Sequence, residues 1–293
     1  MPHPFPLAVI SDEVSQDLQR VIAFAKEFQL EGIEVRSLFG RAFKDLTPAD
    51  VRDIGSRLKE AGLKIAGCAS PVFKCDIFQP AEVAKHVDLF KRSVEWAVAW
   101  KCDLVRVFAF FRKNTPSSGD DLKRAADHFP KLLDAIKGTE VRIGLENESI
   151  TMAGSGAELV DFFRLVDSPR LGVVWDPCNV VFLPGSGKSD PVANDYPMVA
   201  DRVLHVHVKD AQRQDGKPPE HCVEVGKGEV NFPVQFAELK KRNYNGWVSL
   251  ETHWRTIALS AETQHLPGGQ VFSADAEPAS RICMLNLKKM LSG

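Results

Sequence analysis

The sequence predicts an α/β fold, one (β/α)8 TIM barrel spanning residues 1–293 as a single domain. Two patterns carry that expectation. Eight short apolar runs alternate strictly with stretches of helical character, and no linker or shift in composition divides them. Four runs in the second half then close on one acid or imidazole each: RIGLE on Glu146, GVVWD on Asp176, VLHVH on His207 and WVSLE on Glu251. Burying such groups is costly unless they have partners, and TIM barrels place their chemistry at the C-terminal ends of strands.

The units follow in order. LAVI at 7–10 reads as the first strand, and Leu18, Ile22, Ala25 and Phe28 recur at helical spacing in the stretch after it. GIEVR at 32–36 is the second strand; Thr47 and Pro48 then supply a cap and a proline at the first helical position. KIAGCAS at 64–70 precedes a long helix over 80–100, and LVRVFAF at 104–110 precedes one over 120–137. The strand ending at Glu146 leads to a helix over 155–166, that ending at Asp176 to a short helix over 191–200, and that ending at His207 to a helix over 232–242. After the strand ending at Glu251, a helix over 276–291 closes the count.

Side chains alternate across a strand, so Glu146 shares a face with Gly144 and Glu148, His207 with His205 and Lys209, and Glu251 with Ser249 and His253. That face points into the lumen or its mouth. If the four strands are parallel neighbours, their ends converge. Two glutamates, an aspartate and a histidine then form an oxygen-rich donor set with one nitrogen, suited to one divalent Mn²⁺, Mg²⁺, Co²⁺ or Zn²⁺ ion. His205 reads as a hydrogen-bonded residue of the layer below, and Glu148 as an orienter of the site. Lys209 lies within reach of the ion as a substrate contact. Glu34, in the second strand, either reaches substrate or pairs internally with Arg36, and Trp254 offers an apolar wall just past the last ligand.

Composition excludes several partners. A formal charge of −2 and a pI near 6.5 provide no global basic field for nucleic acid or anionic membrane. No run of eighteen apolar residues occurs, and MPHPFPLAVI has no basic n-region, so the expected location is the cytoplasm and the expected partner a small molecule. Six cysteines without a C-x-x-C pair read as reduced core thiols.

GIEVR in the second strand, the glutamate of GLENES, the aspartate of WDPCN, the second histidine of HVHVKD, the G-K-G-E-V-N-F loop at 226–232 and the glutamate of SLETHW stand in a telling order. Together they resemble the sugar isomerase/epimerase family with the xylose-isomerase-like barrel, which includes ketose 3-epimerases, hydroxypyruvate isomerases and inosose dehydratases. The resemblance covers essentially the whole chain. It implies that Glu146, Asp176, His207 and Glu251 hold one divalent ion, and that the two glutamates double as acid and base. Arg213, six residues beyond His207, matches an arginine that contacts substrate in the ketose epimerases. Asn179 is a departure, standing where those epimerases have a histidine.

The chemistry so implied is removal of a weakly acidic C–H proton beside a sugar carbonyl, with the ion stabilising the enediolate and two carboxylates moving the proton. Return to the opposite face of the same carbon is epimerisation; return to the neighbouring carbon is isomerisation. The alternative is a lyase that dehydrates a cyclic polyol or dehydroshikimate by the same enolate logic. A nuclease would call for a histidine-rich cluster of several ions, whereas the third and fourth strands end in Cys68 and Ser70, and in Phe108 and Phe110. A non-catalytic binding barrel would not need the full ligand set. The substrate expected is an unphosphorylated sugar, polyol or small keto acid, with Arg213 and Asn179 among its contacts. The segment 255–275 is expected to form a lid or a contact in a homo-oligomer.

Overall fold

A computed structural model describes residues 4–185, 189–256 and 272–292. Eight strands, β1 (Leu7–Ile10), β2 (Gly32–Val35), β3 (Lys64–Val72), β4 (Leu104–Val107), β5 (Arg142–Glu146), β6 (Leu171–Trp175), β7 (Val203–Val208) and β8 (Trp247–Leu250), pair in parallel and close into a barrel. β1 completes the circle by pairing with both β2 and β8. The strands are rich in Val, Ile and Leu and buried along nearly their whole length, as a parallel sheet covered by helices requires.

Ten helices are used below or frame the barrel: α1 (Leu18–Glu27), α2 (Pro48–Glu60), α3 (Pro80–Trp100), α4 (Gly119–Ala126), α5 (Phe129–Ala135), α6 (Gly156–Leu165), α7 (Pro177–Val181), α8 (Tyr196–Val199), α9 (Phe232–Lys241) and α10 (Ala276–Ser292). Local chemistry starts them where expected. Thr47 and Asp50 form a capping box at α2, Ser155 and Glu158 another at α6, and Asn231 caps α9. Trp96 and Trp100 are buried on α3, where Trp100 Nε1 donates to the Val51 carbonyl of α2.

The structure departs from the sequence reading in places that matter. β4 stops at Val107 rather than 110, and Phe110 sits in the left-handed region, turning the chain across the mouth. The helix expected over 120–137 is two, α4 and α5, because Pro130 in the first turn of α5 lacks the N–H that an unbroken helix would need. The short helix expected over 191–200 begins as a π-helical turn at Pro191–Asp195 before α8. Two small antiparallel ribbons, Ser37–Leu38 with Arg41–Ala42 and Asp210–Ala211 with Cys222–Val223, escaped the sequence reading. Residues 257–271, most of the expected lid, lie outside the described residues. All six cysteines are free thiols, and no described helix is long and apolar enough to cross a membrane.

Register positions the site. Ser249 of β8 lies level with His207 of β7, His205 with Val174 of β6, and Val174 with Glu146 of β5. The ends of β5, β6, β7 and β8 therefore face one another at the C-terminal mouth.

Candidate metal centre and its cavity

Glu146, Asp176, His207 and Glu251 are all buried, and each offers a ligand atom within 4.8 Å of the others. Asp176 is held most firmly. It is the N-cap of α7, its Oδ1 accepting from the backbone N–H of Cys178 at 2.9 Å and of Asn179 at 3.3 Å, so that Oδ2 is left for the cluster. Asn147, one residue past Glu146, fixes its backbone by accepting from the Asp176 N–H at 2.7 Å and donating to its carbonyl at 2.8 Å. The asparagine in GLENES was the available signal for this clamp.

His207 is oriented from below. Its Nε2 lies 3.2 and 3.1 Å from the two oxygens of Glu34, which also bonds His205 Nε2 at 2.9 Å. A carboxylate acceptor there places a proton on Nε2 and turns the other nitrogen toward the cluster. His207 Nδ1 has no hydrogen-bond partner; it stands 3.6 Å from Glu146 Oε1 and 3.5 Å from Glu251 Oε2. A buried, unpartnered imidazole nitrogen between two carboxylates fits a divalent ion with oxygen and nitrogen ligands. Glu34 is thus a support beneath the ligands, 1% exposed, and is not among the residues that line the cavity.

Cations surround the acidic set. Arg106 Nη1 approaches Glu146 Oε2 at 2.9 Å, Arg36 Nη1 donates to Glu251 Oε1 at 2.7 Å, and Lys209 Nζ spans Asp176 Oδ2 at 2.8 Å and Glu251 Oε2 at 3.0 Å. Glu146 Oε2 and Asp176 Oδ2 meet these cations without a directed hydrogen bond, so their lone pairs stay uncommitted. Burial opposes ionisation of Glu251, but Lys209, His253 and His207 outweigh it and hold its pKa well below the usual range. Burial likewise opposes ionisation of Glu146, and Arg106 and His207 reverse that to a lowered pKa. At Asp176 burial wins: reinforced by Glu251 and Glu146 and opposed by Lys209, it pushes the carboxyl up to about 7. Burial works against a charged His207, yet Glu34, Glu146 and Glu251 raise its pKa well above the ordinary value. The carboxylates of the cluster are thus balanced by the cations around them.

The cluster opens into a cavity of about 330 Å³ at the barrel mouth, bordered by Glu146, Asn179, Lys209 and Glu251 together with Arg36, Lys74, Arg106, Phe108, Glu148 and His253. Of the substrate contacts expected from sequence, Asn179 and Lys209 are there; Asn179 Nδ2 donates to Glu146 Oε1 at 3.2 Å. Arg213 and Trp254 are not among the described lining residues. The Arg213 guanidinium pairs with Glu229 Oε2 at 2.6 Å, and Trp254 packs against the core. Glu148, expected to orient the site, pairs through its side chain with Lys74 at 2.7 Å among the described residues. Sequence reasoning missed Lys74 and Arg106. The second had a signal, a lone guanidinium alternating with apolar residues in LVRVF.

The model of the xylose isomerase-like TIM barrel family matches residues 22–275. The chain belongs to this family. Its xylose isomerase-like barrel superposes on a D-allulose 3-epimerase from Methylomonas sp., in complex with D-allulose, with a TM-score of 0.72 and 20% identity over 99% of this chain and 98% of that one. For 3-keto-D-glucoside 4-epimerase from E. coli the TM-score is 0.72 at 16% identity, over 99% and 100% of the two chains. For a probable 3-DHS dehydratase from Bacillus anthracis it is 0.69 at 16% identity, over 96% and 98%. At such identities the likeness is one of fold. No curated protein sequence matches the chain significantly.

Proposed function

We propose that the protein is a divalent-metal-dependent sugar isomerase or epimerase in which Glu146 and Glu251 are the acid/base pair. One observation carries the reading: four buried side chains converge their donor atoms within 4.8 Å at the base of a polar cavity on the catalytic face of a TIM barrel. A bound divalent ion would supply the positive charge that stabilises an enediolate as the substrate proton leaves.

The chain's own groups supply the rest. Glu146, steadied by Arg106 and Asn179, and Glu251, steadied by Arg36 and Lys209, approach His207 Nδ1 separately. Both have depressed pKa values, so both are carboxylates at rest and ready to accept a proton. A sugar carbon between them loses its proton to one glutamate; inversion follows when the other glutamate, having first taken a proton from solvent at the open cavity, delivers it to the opposite face, and the first then returns its own to solvent, whereas isomerisation returns the same proton at the neighbouring carbon. Lys209 and Asn179 offer donors to substrate hydroxyls. The Gly226-Lys227-Gly228 turn favours an unphosphorylated substrate, because its anion nest is already filled: the N–H groups of Gly226 and Gly228 each donate to Asp210 Oδ2 at 2.9 Å. The lyase reading, with a cyclic polyol or dehydroshikimate as substrate, draws on Asn179 standing where ketose epimerases carry a histidine.

A panel of ketoses, inososes and dehydroshikimate, assayed with added Mn²⁺ beside elemental analysis, tests both. Expected are about one ion per chain and turnover of a ketose. Dehydration of an inosose or dehydroshikimate instead selects the lyase. Protein that gains neither metal nor thermal stability from Mn²⁺, Co²⁺ or Zn²⁺ sinks the metal-dependent reading altogether.

A further inference from the structure

Beside the ligand cluster the cavity carries a second polar device that the proton chemistry does not use. Lys74 follows β3 and Glu148 follows β5, so the two bracket β4 and its Phe108. Lys74 Nζ lies 2.7 Å from Glu148 Oε2 and 5.0 Å from the centroid of the Phe108 ring. Both side chains line the cavity, 21% and 15% exposed, and neither belongs to a ligand group.

The backbone is bent to place this pair. Phe73, just before Lys74, has φ +63°, a conformation unfavourable for a bulky L-residue. Its ring stacks on Phe110, itself at φ +56°, with centroids 4.3 Å apart. Strain of this kind gathers at functional sites, and a largely buried ion pair is weak evidence of a stabilising role. Bonding capacity is left over too. Among the described residues the Lys74 ammonium makes one hydrogen bond, leaving two N–H donors, while Glu148 Oε1 accepts from Ser149 Oγ at 3.2 Å and retains a further lone pair.

We propose that Lys74 and Glu148 are the specificity-determining pair of this site, and that they take a neutral vicinal diol, the polyhydroxyl arm of an uncharged ketose or cyclic polyol lying against Phe108. The inference rests on the sugar-directed reading above and narrows it. A diol matches the pair because one hydroxyl donates to Glu148 while its neighbour accepts from Lys74, and the C–H face between them covers the ring. A carboxylate or phosphate does not match: Glu148 already neutralises Lys74, so the pair offers a second anion no net positive charge and sets a carboxylate beside it.

Calorimetric titration of Mn²⁺-saturated protein with D-allulose and with D-allulose 6-phosphate tests this without requiring turnover. Wild-type protein is expected to bind the neutral sugar at least ~10-fold more tightly than its phosphate. Lys74→Met should weaken D-allulose binding by about 10- to 100-fold, the range for losing a charged hydrogen bond. Glu148→Gln keeps the volume, removes the repulsion and should narrow the preference by about 10-fold or more. Metal affinity should be unchanged in both, since neither residue is a ligand; if Lys74→Met is unstable, Lys74→Gln serves in its place. The proposal is overturned by wild-type protein that binds no D-allulose or prefers the phosphate, or by a preference that Glu148→Gln leaves untouched. Pair-dependent selectivity with no turnover under any metal would instead leave this inference standing and remove the isomerase reading.

Discussion

Glu34 shows how one side chain sets the character of a site it does not line. With its two oxygens on His205 and His207, it decides which nitrogen of His207 faces Glu146 and Glu251. Glu34→Gln should therefore lower Mn²⁺ affinity by about 10- to 100-fold in a competition titration, the usual cost of losing a carboxylate behind a ligating histidine. Unchanged affinity would reduce Glu34 to a neutraliser of buried imidazoles. The two glutamates are separable from metal holding at the same scale. Glu146→Gln and Glu251→Gln keep size but lose the basic oxygen, so turnover should fall at least ~10²-fold with saturating metal still bound. A loss of rate that extra metal restores would leave the acid/base roles unsupported.

Among elements, α7 matters most for the site although it has only five residues, Pro177–Val181. Asp176 serves it twice, capping the helix through Oδ1 and presenting Oδ2 to the cluster. The two duties can be divided. Asparagine caps as well as aspartate but lacks the charge, whereas alanine does neither. Both Asp176→Asn and Asp176→Ala should bind Mn²⁺ poorly, and in the metal-free state the alanine variant should be less stable than the asparagine variant by about 1 kcal/mol in urea unfolding. Equal stability would mean that α7 is held by packing rather than by its cap.

For the whole molecule, the cluster links folding to pH and metal. Burial beside Glu251 and Glu146 pushes the Asp176 carboxyl up to about 7 from the 3.8 of an exposed aspartate. A raised carboxyl pKa means the fold favours the protonated form, so its stabilising contribution is full below about pH 3.8 and is lost as pH rises through 7. The ion needs the deprotonated carboxylate, so stabilisation by metal runs the other way. The rise in Tm produced by Mn²⁺ should be small at pH 5.5, grow through pH 7 and keep growing above it, because His207, whose pKa is also raised, must give up a proton to the ion as well, while chelator returns the metal-free value. At 100 times the dissociation constant the gain should be about 2.7 kcal/mol. A Tm rise independent of pH over this range would show that Asp176 is not among the groups the ion deprotonates.

What the chain declared by itself was local or periodic. Alternation along 142–146, 203–208 and 247–251 marks lumen-facing positions because side chains repeat every two residues in a strand, and the Thr47-Pro48 signal marks a helix start because capping acts within one turn. The four proposed ligands were legible for that reason, each closing its own apolar run. Contacts between strands distant in sequence were not. Glu34 reaches His205 and His207 across 171 and 173 positions of chain, and Arg36 reaches Glu251 across 215, only because β1 closes the barrel between β2 and β8. Arg213 could be placed near the proposed ion site by counting from His207, yet Glu229 claims its guanidinium, and the lysine and glutamate beside Phe108 come from the segments that follow β3 and β5. Periodicity tells each residue which way to point; barrel closure and strand register decide what it meets.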